Sequence, residues 1–123
     1  MKTKKFFILT SYCLLLLFFI TTGVSCYKEN TCQFVLINNS NEMITKARIE
    51  VCEQLIEIQN IASHEKYIGM YKIKTDSHYK ISISFASNRQ LKDEIGYVTN
   101  GFDFTHTITI TDSGISITDT QVN

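Results

Sequence analysis

Behind residue 31 apolar and polar residues alternate at every second position, and that period decides what the chain can fold into. Tyr79-Lys80-Ile81-Ser82-Ile83-Ser84-Phe85 puts Tyr79, Ile81, Ile83 and Phe85 on one face of a strand. A helix, at 3.6 residues per turn, would split those four between opposite sides. His106-Thr107-Ile108-Thr109-Ile110-Thr111 and Ile115-Ser116-Ile117-Thr118 alternate in the same way. Asp112-Ser113-Gly114 lies between them. It reads as a tight turn, with the glycine free to take a positive φ. The stretch 105–119 is therefore a hairpin.

The remaining strands follow from the same signal. Gln33 to Ile37 and Ile44 to Cys52 read as a pair joined by Asn38-Asn39-Ser40-Asn41-Glu42, since Asn and Ser bond their own backbone and favour turns. Ile56 to Ile61 and Lys66 to Ile73 flank Ala62-Ser63-His64-Glu65. Leu91-Lys92-Asp93-Glu94-Ile95 fits one helical turn, whereas Gly96-Tyr97-Val98-Thr99 reads as strand. Asn100-Gly101 is a turn of the primed type. Seven or eight short strands without a long helix imply an all-β fold, a small antiparallel β-sandwich of immunoglobulin-like or transthyretin-like architecture, with a small barrel second. The chain has no proline, so edge strands must be protected by charge or bulges. Lys72, Lys74 and Lys80 are candidates for that role. The sandwich is expected over 32–119, with 120–123 as a tail.

The N-terminus has a different character. Met1-Lys2-Thr3-Lys4-Lys5 is positive, Phe6 to Ile20 is apolar, and Thr21-Thr22-Gly23-Val24-Ser25 turns small. That is the order of a signal peptide over 1–25. An uncleaved anchor is the rival, since Phe6 to Val24 approaches a bilayer's apolar thickness. Gly23-Val24-Ser25-Cys26 resembles the lipobox of bacterial lipoproteins. The resemblance covers the leader alone, and Gly23 stands where an aliphatic residue is usual. It implies cleavage before Cys26 and a diacylglycerol on that thiol. Ordinary cleavage, leaving Cys26 unmodified, is the alternative. Tyr27, where an aspartate would hold such a lipoprotein at the inner membrane, implies the outer membrane, facing the periplasm. Several acyl chains would make the anchor stable where one is marginal. Residues 26–31 then form a short tether.

Of the four cysteines, Cys13 leaves with the leader and Cys26 takes the lipid. Cys32 and Cys52 remain, in a compartment where disulfides persist. If the first hairpin turns near Glu42, Val35 opposes Ile49, Ile37 opposes Ala47 and Cys32 opposes Cys52. Directly opposed antiparallel residues meet the Cα separation of a disulfide, so a Cys32–Cys52 bond is expected. Two unpaired thiols are the alternative. No short-spaced ligand pairs support zinc.

Behind the leader nine basic residues stand against twelve acidic ones, a net charge of −3. Nucleic acid is a poor partner for such a surface. No nucleophile elbow, phosphate-cradling glycine loop or His-Glu-x-x-His helix occurs, so the chain reads as a non-enzyme without a cofactor. His64, His78 and His106 sit at turns or strand ends and read as surface residues. Asp93, Glu94, Asn100 and Asp103 lack the spacing of a calcium loop. Tyr97, Asn100, Phe102 and Phe104 are the candidate interface, because rigid aromatics on a loop are common anchors of binding. Core filling is their simpler reading.

These features imply a membrane-anchored binding module for an envelope protein, either an accessory of an envelope complex or an immunity or inhibitor lipoprotein. A small-ligand or glycan-binding role would need a concave apolar pocket with converging polar groups.

Overall fold

A computed structural model describes residues 30–101 and 104–121. Eight strands follow one another without a helix among the described residues: β1 (Asn30–Asn38), β2 (Ile44–Val51), β3 (Gln54–Ile61), β4 (Lys66–Ile73), β5 (Ser77–Phe85), β6 (Gln90–Val98), β7 (Phe104–Ile110) and β8 (Ile115–Gln121). They form two four-stranded sheets, ordered β4-β1-β7-β8 and β3-β2-β5-β6. The protein is an all-β sandwich, as the alternation requires. The ambiguous stretch 91–98 is strand throughout.

The inward faces are the apolar members of each alternation. Phe34, Leu36, Ile44, Ala47, Ile49, Tyr79, Ile83, Ile108 and Ile110 are fully enclosed between the sheets. Their burial supplies the main driving force for folding. Phe34 lies opposite Gly69 across the β1–β4 pair. A Cβ on Gly69 would sit 2.2 Å from Phe34 Cζ, so the ring occupies the space a side chain would need.

Pairing departs from the expected hairpin of residues 33–52. β1 and β2 lie in different sheets. β1 is antiparallel to β4 and parallel to β7, whereas β2 is antiparallel to β3 and β5. Val35 therefore stands beside Ile68 and Thr107, not Ile49, and Ala47 beside Ile58 and Ile83, not Ile37. An immunoglobulin sandwich keeps its first two strands in one sheet, so the transthyretin-like member of the expected pair remains. The sandwich is antiparallel except at the β1–β7 pair.

The loop after β1 is an arch between sheets because its polar groups are turned inward. Asn38 and Ser40 are both fully buried. The Asn38 amide donates to the carbonyls of Glu42 (2.8 Å) and Ile61 (3.0 Å). Its Oδ1 accepts from the Ser40 amide and hydroxyl. One side chain thus fixes the ends of β1 and β3 and the start of β2 together.

The expected β7–β8 hairpin forms, paired from Phe104↔Gln121 to Ile110↔Ile115. Its turn works differently. Gly114 is not in the positive-φ region; Thr111 closes the turn, its N–H on the Gly114 carbonyl and its hydroxyl accepting from the Gly114 N–H. The positive-φ glycines among the described residues are Gly101, at +97°, and, within β6, Gly96, at +74°. Gly96 falls between Ile95, opposite Tyr79, and Tyr97, opposite His78, and so forms a β-bulge of the glycine type.

Candidate functional site

The strand order sends the expected site residues to separate places. Cys26 and Phe102 lie outside the described residues. Tyr97 and Asn100 come together on Asp76: the Tyr97 hydroxyl donates to one carboxylate oxygen and the Asn100 N–H to the other, each at 3.0 Å. The Asp76 acceptor holds the Tyr97 hydroxyl above its ordinary pKa. Tyr97 is 63% exposed. It is an aromatic held in place from below, at the end of the sandwich where β1 begins. Phe104 turns inward instead and stacks on the His106 ring at 5.9 Å.

The expected Cys32–Cys52 bond is absent. Both residues are buried free thiols. Cys32 opposes Tyr71 on β4, and its Sγ lies 3.4 Å from the Phe104 carbonyl. The Cys52 Sγ lies 3.6 Å from the Thr75 carbonyl. The expected pairing depended on β1 and β2 being neighbours, and they belong to opposite sheets.

The histidines are not all surface residues either. His64 and His78 are exposed, but His106 is 1% exposed. It belongs to a buried polar chain that crosses the core. The Tyr71 and Tyr79 hydroxyls are 2.6 Å apart, and the Tyr79 hydroxyl is 2.7 Å from His106 Nδ1. His106 Nε2 is 3.2 Å from Asp119 Oδ1. A carboxylate can only accept, so Nε2 carries the ring hydrogen and Nδ1 accepts from Tyr79. Tyr79 in turn accepts from Tyr71. Burial, assisted for Tyr71 by its bond to Tyr79, raises the pKa of both tyrosines. Burial lowers that of His106, with Asp119 opposing. Among the described residues no buried side-chain nitrogen or oxygen lacks a partner. Alternation carried the missed signal: His106 shares its face with Ile108 and Ile110.

A groove of about 520 Å³ lies on the outer face of the second sheet, lined by Arg48, Glu50, Lys80, Ser82, Lys92 and Glu94 among others. Both charge signs alternate there, and Lys80 pairs with Glu94 at 3.9 Å. No aromatic side chain lines the groove, and Ile81 is the one apolar residue in its lining. Among the described residues no three His, Cys, Asp or Glu side chains are placed to hold a metal ion.

Apolar exposure concentrates elsewhere. Ile68 and Met70 on β4 are 61% and 63% exposed, and Tyr67 between β3's end and them is 38% exposed. β4 is the outer strand of its sheet. Val35 of β1 lies beside Ile68 and polar Gln33 beside Met70, so the apolar surface continues inward from the edge at Ile68.

No protein-family model matches the chain, and no curated protein matches it. A solved structure does: an NMR structure of a protein from Eubacterium rectale, at 12% identity and a TM-score of 0.56, over 82% of this chain and 98% of that one. The likeness is one of fold, and it supports the sandwich.

Proposed function

We propose that this chain is a lipid-anchored protein of the cell envelope that acts by holding another protein and performs no chemistry of its own. The anchor is read from the leader and Cys26. The observation that supports the binding role is the exposed pair Ile68 and Met70 on an outer strand. Contiguous apolar surface of this kind marks interaction sites on folded proteins. An accessory of an envelope complex and an immunity or inhibitor lipoprotein both fit this reading. The lipid would place the protein at the outer membrane, facing the periplasm.

The test uses the full-length chain, tagged at its C-terminus and expressed in a bacterial host with labelled palmitate. The native protein is expected to carry label and to sediment with membranes. Cys26→Ala is expected to lose both properties. Capture from detergent-solubilised envelope of the source cell should then return one near-stoichiometric protein. Persistent labelling of Cys26→Ala would remove the anchor from this reading, and capture of nothing by a folded chain would remove the protein partner.

A further inference from the structure

Three of the four outer strands carry evident protection against pairing. β6 has the Gly96 bulge and the charged run Lys92-Asp93-Glu94. β8 ends in exposed polar Thr118, Asp119 and Thr120. β3 carries Asn60 at a φ of +58° just before its end and Glu57 in ion pairs with Lys46 and Arg48. β4 is different. Its register with β1 runs unbroken from Asn30↔Ile73 to Ile37↔Lys66, and its middle is apolar.

The direction of the β4 backbone can be read from both ends. The Glu65 carbonyl accepts from the Asn38 N–H, so odd-numbered residues face β1. Lys72 faces the other way, because the Gln54 side chain takes both its N–H (3.1 Å) and its carbonyl (2.6 Å). Bonding direction alternates along an antiparallel strand. The N–H and C=O groups of Lys66, Ile68 and Met70 therefore point outward from the sheet. The same three residues present their side chains on its exposed face. Gln54 closes the edge at Lys72 and leaves 66–70 open.

We propose that the open edge of β4 from Lys66 to Met70 receives an extended segment of another protein as a fifth strand of the sheet. The segment would place two alternating apolar side chains beside Ile68 and Met70, and an acidic one beside Lys66. Main-chain bonds to the edge would supply affinity, and the alternating side chains would supply selectivity. A second copy of this chain gives Lys66 no acidic neighbour in either antiparallel register. Antiparallel self-pairing about Gly69 sets Lys66 of each copy against Lys72 of the other, and like charges directly opposed are destabilising. It would also need the Lys72 backbone that Gln54 covers. Self-pairing about Ile68 sets Lys66 against Met70. Lys66 favours an acidic residue at that position, and this complementarity is what selects a different chain. The inference deepens the proposed binding role and rests on it.

The probe is a capped, fluorescently labelled peptide, Glu-Thr-Val-Thr-Val-Thr-Glu, which offers a glutamate to Lys66 in either strand direction. The full chain in detergent micelles should bind it by fluorescence anisotropy. Hydrogen exchange at Ile68 and Met70 should slow on binding while that of the β6 and β8 edges does not. Met70→Pro removes an outward N–H and no ladder bond, a position where an edge strand tolerates proline. It should weaken peptide binding by about tenfold or more with the melting curve retained. Lys66→Glu, which leaves the backbone untouched, should reverse the preference to a peptide with lysine in place of glutamate. Equal binding by Met70→Pro, or an unchanged charge preference in Lys66→Glu, would overturn the inference. So would native-like envelope capture by Met70→Pro, an outcome that leaves the binding role standing and moves its surface elsewhere.

Discussion

Protonating His106 would put a hydrogen on Nδ1, the atom that already accepts one from Tyr79. The Tyr79 hydroxyl would have to turn, and a positive ring would sit in a position that is 1% exposed. Only Asp119, across the β7–β8 pair, would offset it. Burial accordingly lowers the His106 pKa below its ordinary 6.5. Between the two values the unfolded chain holds a proton that the folded chain does not. Stability from this residue is complete above the unfolded value of about 6.5 and declines as pH falls below it. The melting temperature is therefore expected to drop from pH 7.5 to pH 5.5. His106→Gln, which can still accept from Tyr79 and donate to Asp119, should be less stable at pH 7.5 by about 1–3 kcal/mol. It should also lack the part of the slope that the imidazole causes. Parallel melting profiles for the two proteins across that range would show that the ring does not titrate as its surroundings require. The apolar buried faces were legible at this scale, because a period of two needs no knowledge of neighbours; His106 was not, although it shares its face with Ile108 and Ile110. What a buried polar residue bonds to was not legible either, since Tyr79 and Asp119 reach His106 from two other strands and Tyr71 reaches Tyr79 from a third.

The strands themselves were legible for the same reason, and so was the β7–β8 hairpin, whose connection is too short to reach another sheet. The partner of β1 was not. The stretch Asn38-Asn39-Ser40-Asn41-Glu42 carries residues that serve a hairpin turn and an arch equally well. What separates the two outcomes is where Asn38 ends up. Its amide reaches Glu42 and Ile61, and Ile61 becomes a neighbour only after the chain has crossed to the other sheet and β3 has paired with β2. The expected disulfide failed with the hairpin, because its geometry was borrowed from that pairing. Asn38→Asp keeps the shape and the Ser40 bonds but removes both donors, and sets a carboxylate against two carbonyl oxygens. Leaving buried groups without partners is costly. The substitution is expected to lower unfolding free energy in urea by about 2–4 kcal/mol, far more than Asn39→Asp one residue away on the exposed loop. Equal effects would mean that the arch is held by the sheets rather than by its own polar groups.

For the molecule as a whole, the position of β1 determines how the sandwich would stand on a membrane. Asn30 lies opposite Ile73, and the same end of the sandwich carries Ser77, Val98 and the Asp76 carboxylate with Tyr97 and Asn100. The opposite end carries the Asn41–Asp112 bonds, the contact of Arg89 with Asp112, and the Thr111–Gly114 turn. Three residues separate Cys26 from Asn30, four Cα steps with a reach of at most about 14 Å. A lipid on Cys26 therefore sets the Tyr97 end against the headgroups. Tyr97 would then be a support at the bilayer surface, since tyrosine suits an interface that is apolar on one side and wet on the other. The β4 edge, which runs from that end to the far one, would then stay clear of the bilayer. Native tryptophan is absent, so a single introduced one reports position without background. In vesicles containing brominated lipid, the lipidated Tyr97→Trp protein should lose a large part of its fluorescence, and Ser113→Trp should lose little. Equal quenching of the two would mean that the sandwich lies on its side or tumbles freely on its tether. That outcome would return Tyr97 and Asn100 to the pool of surfaces open to a soluble partner.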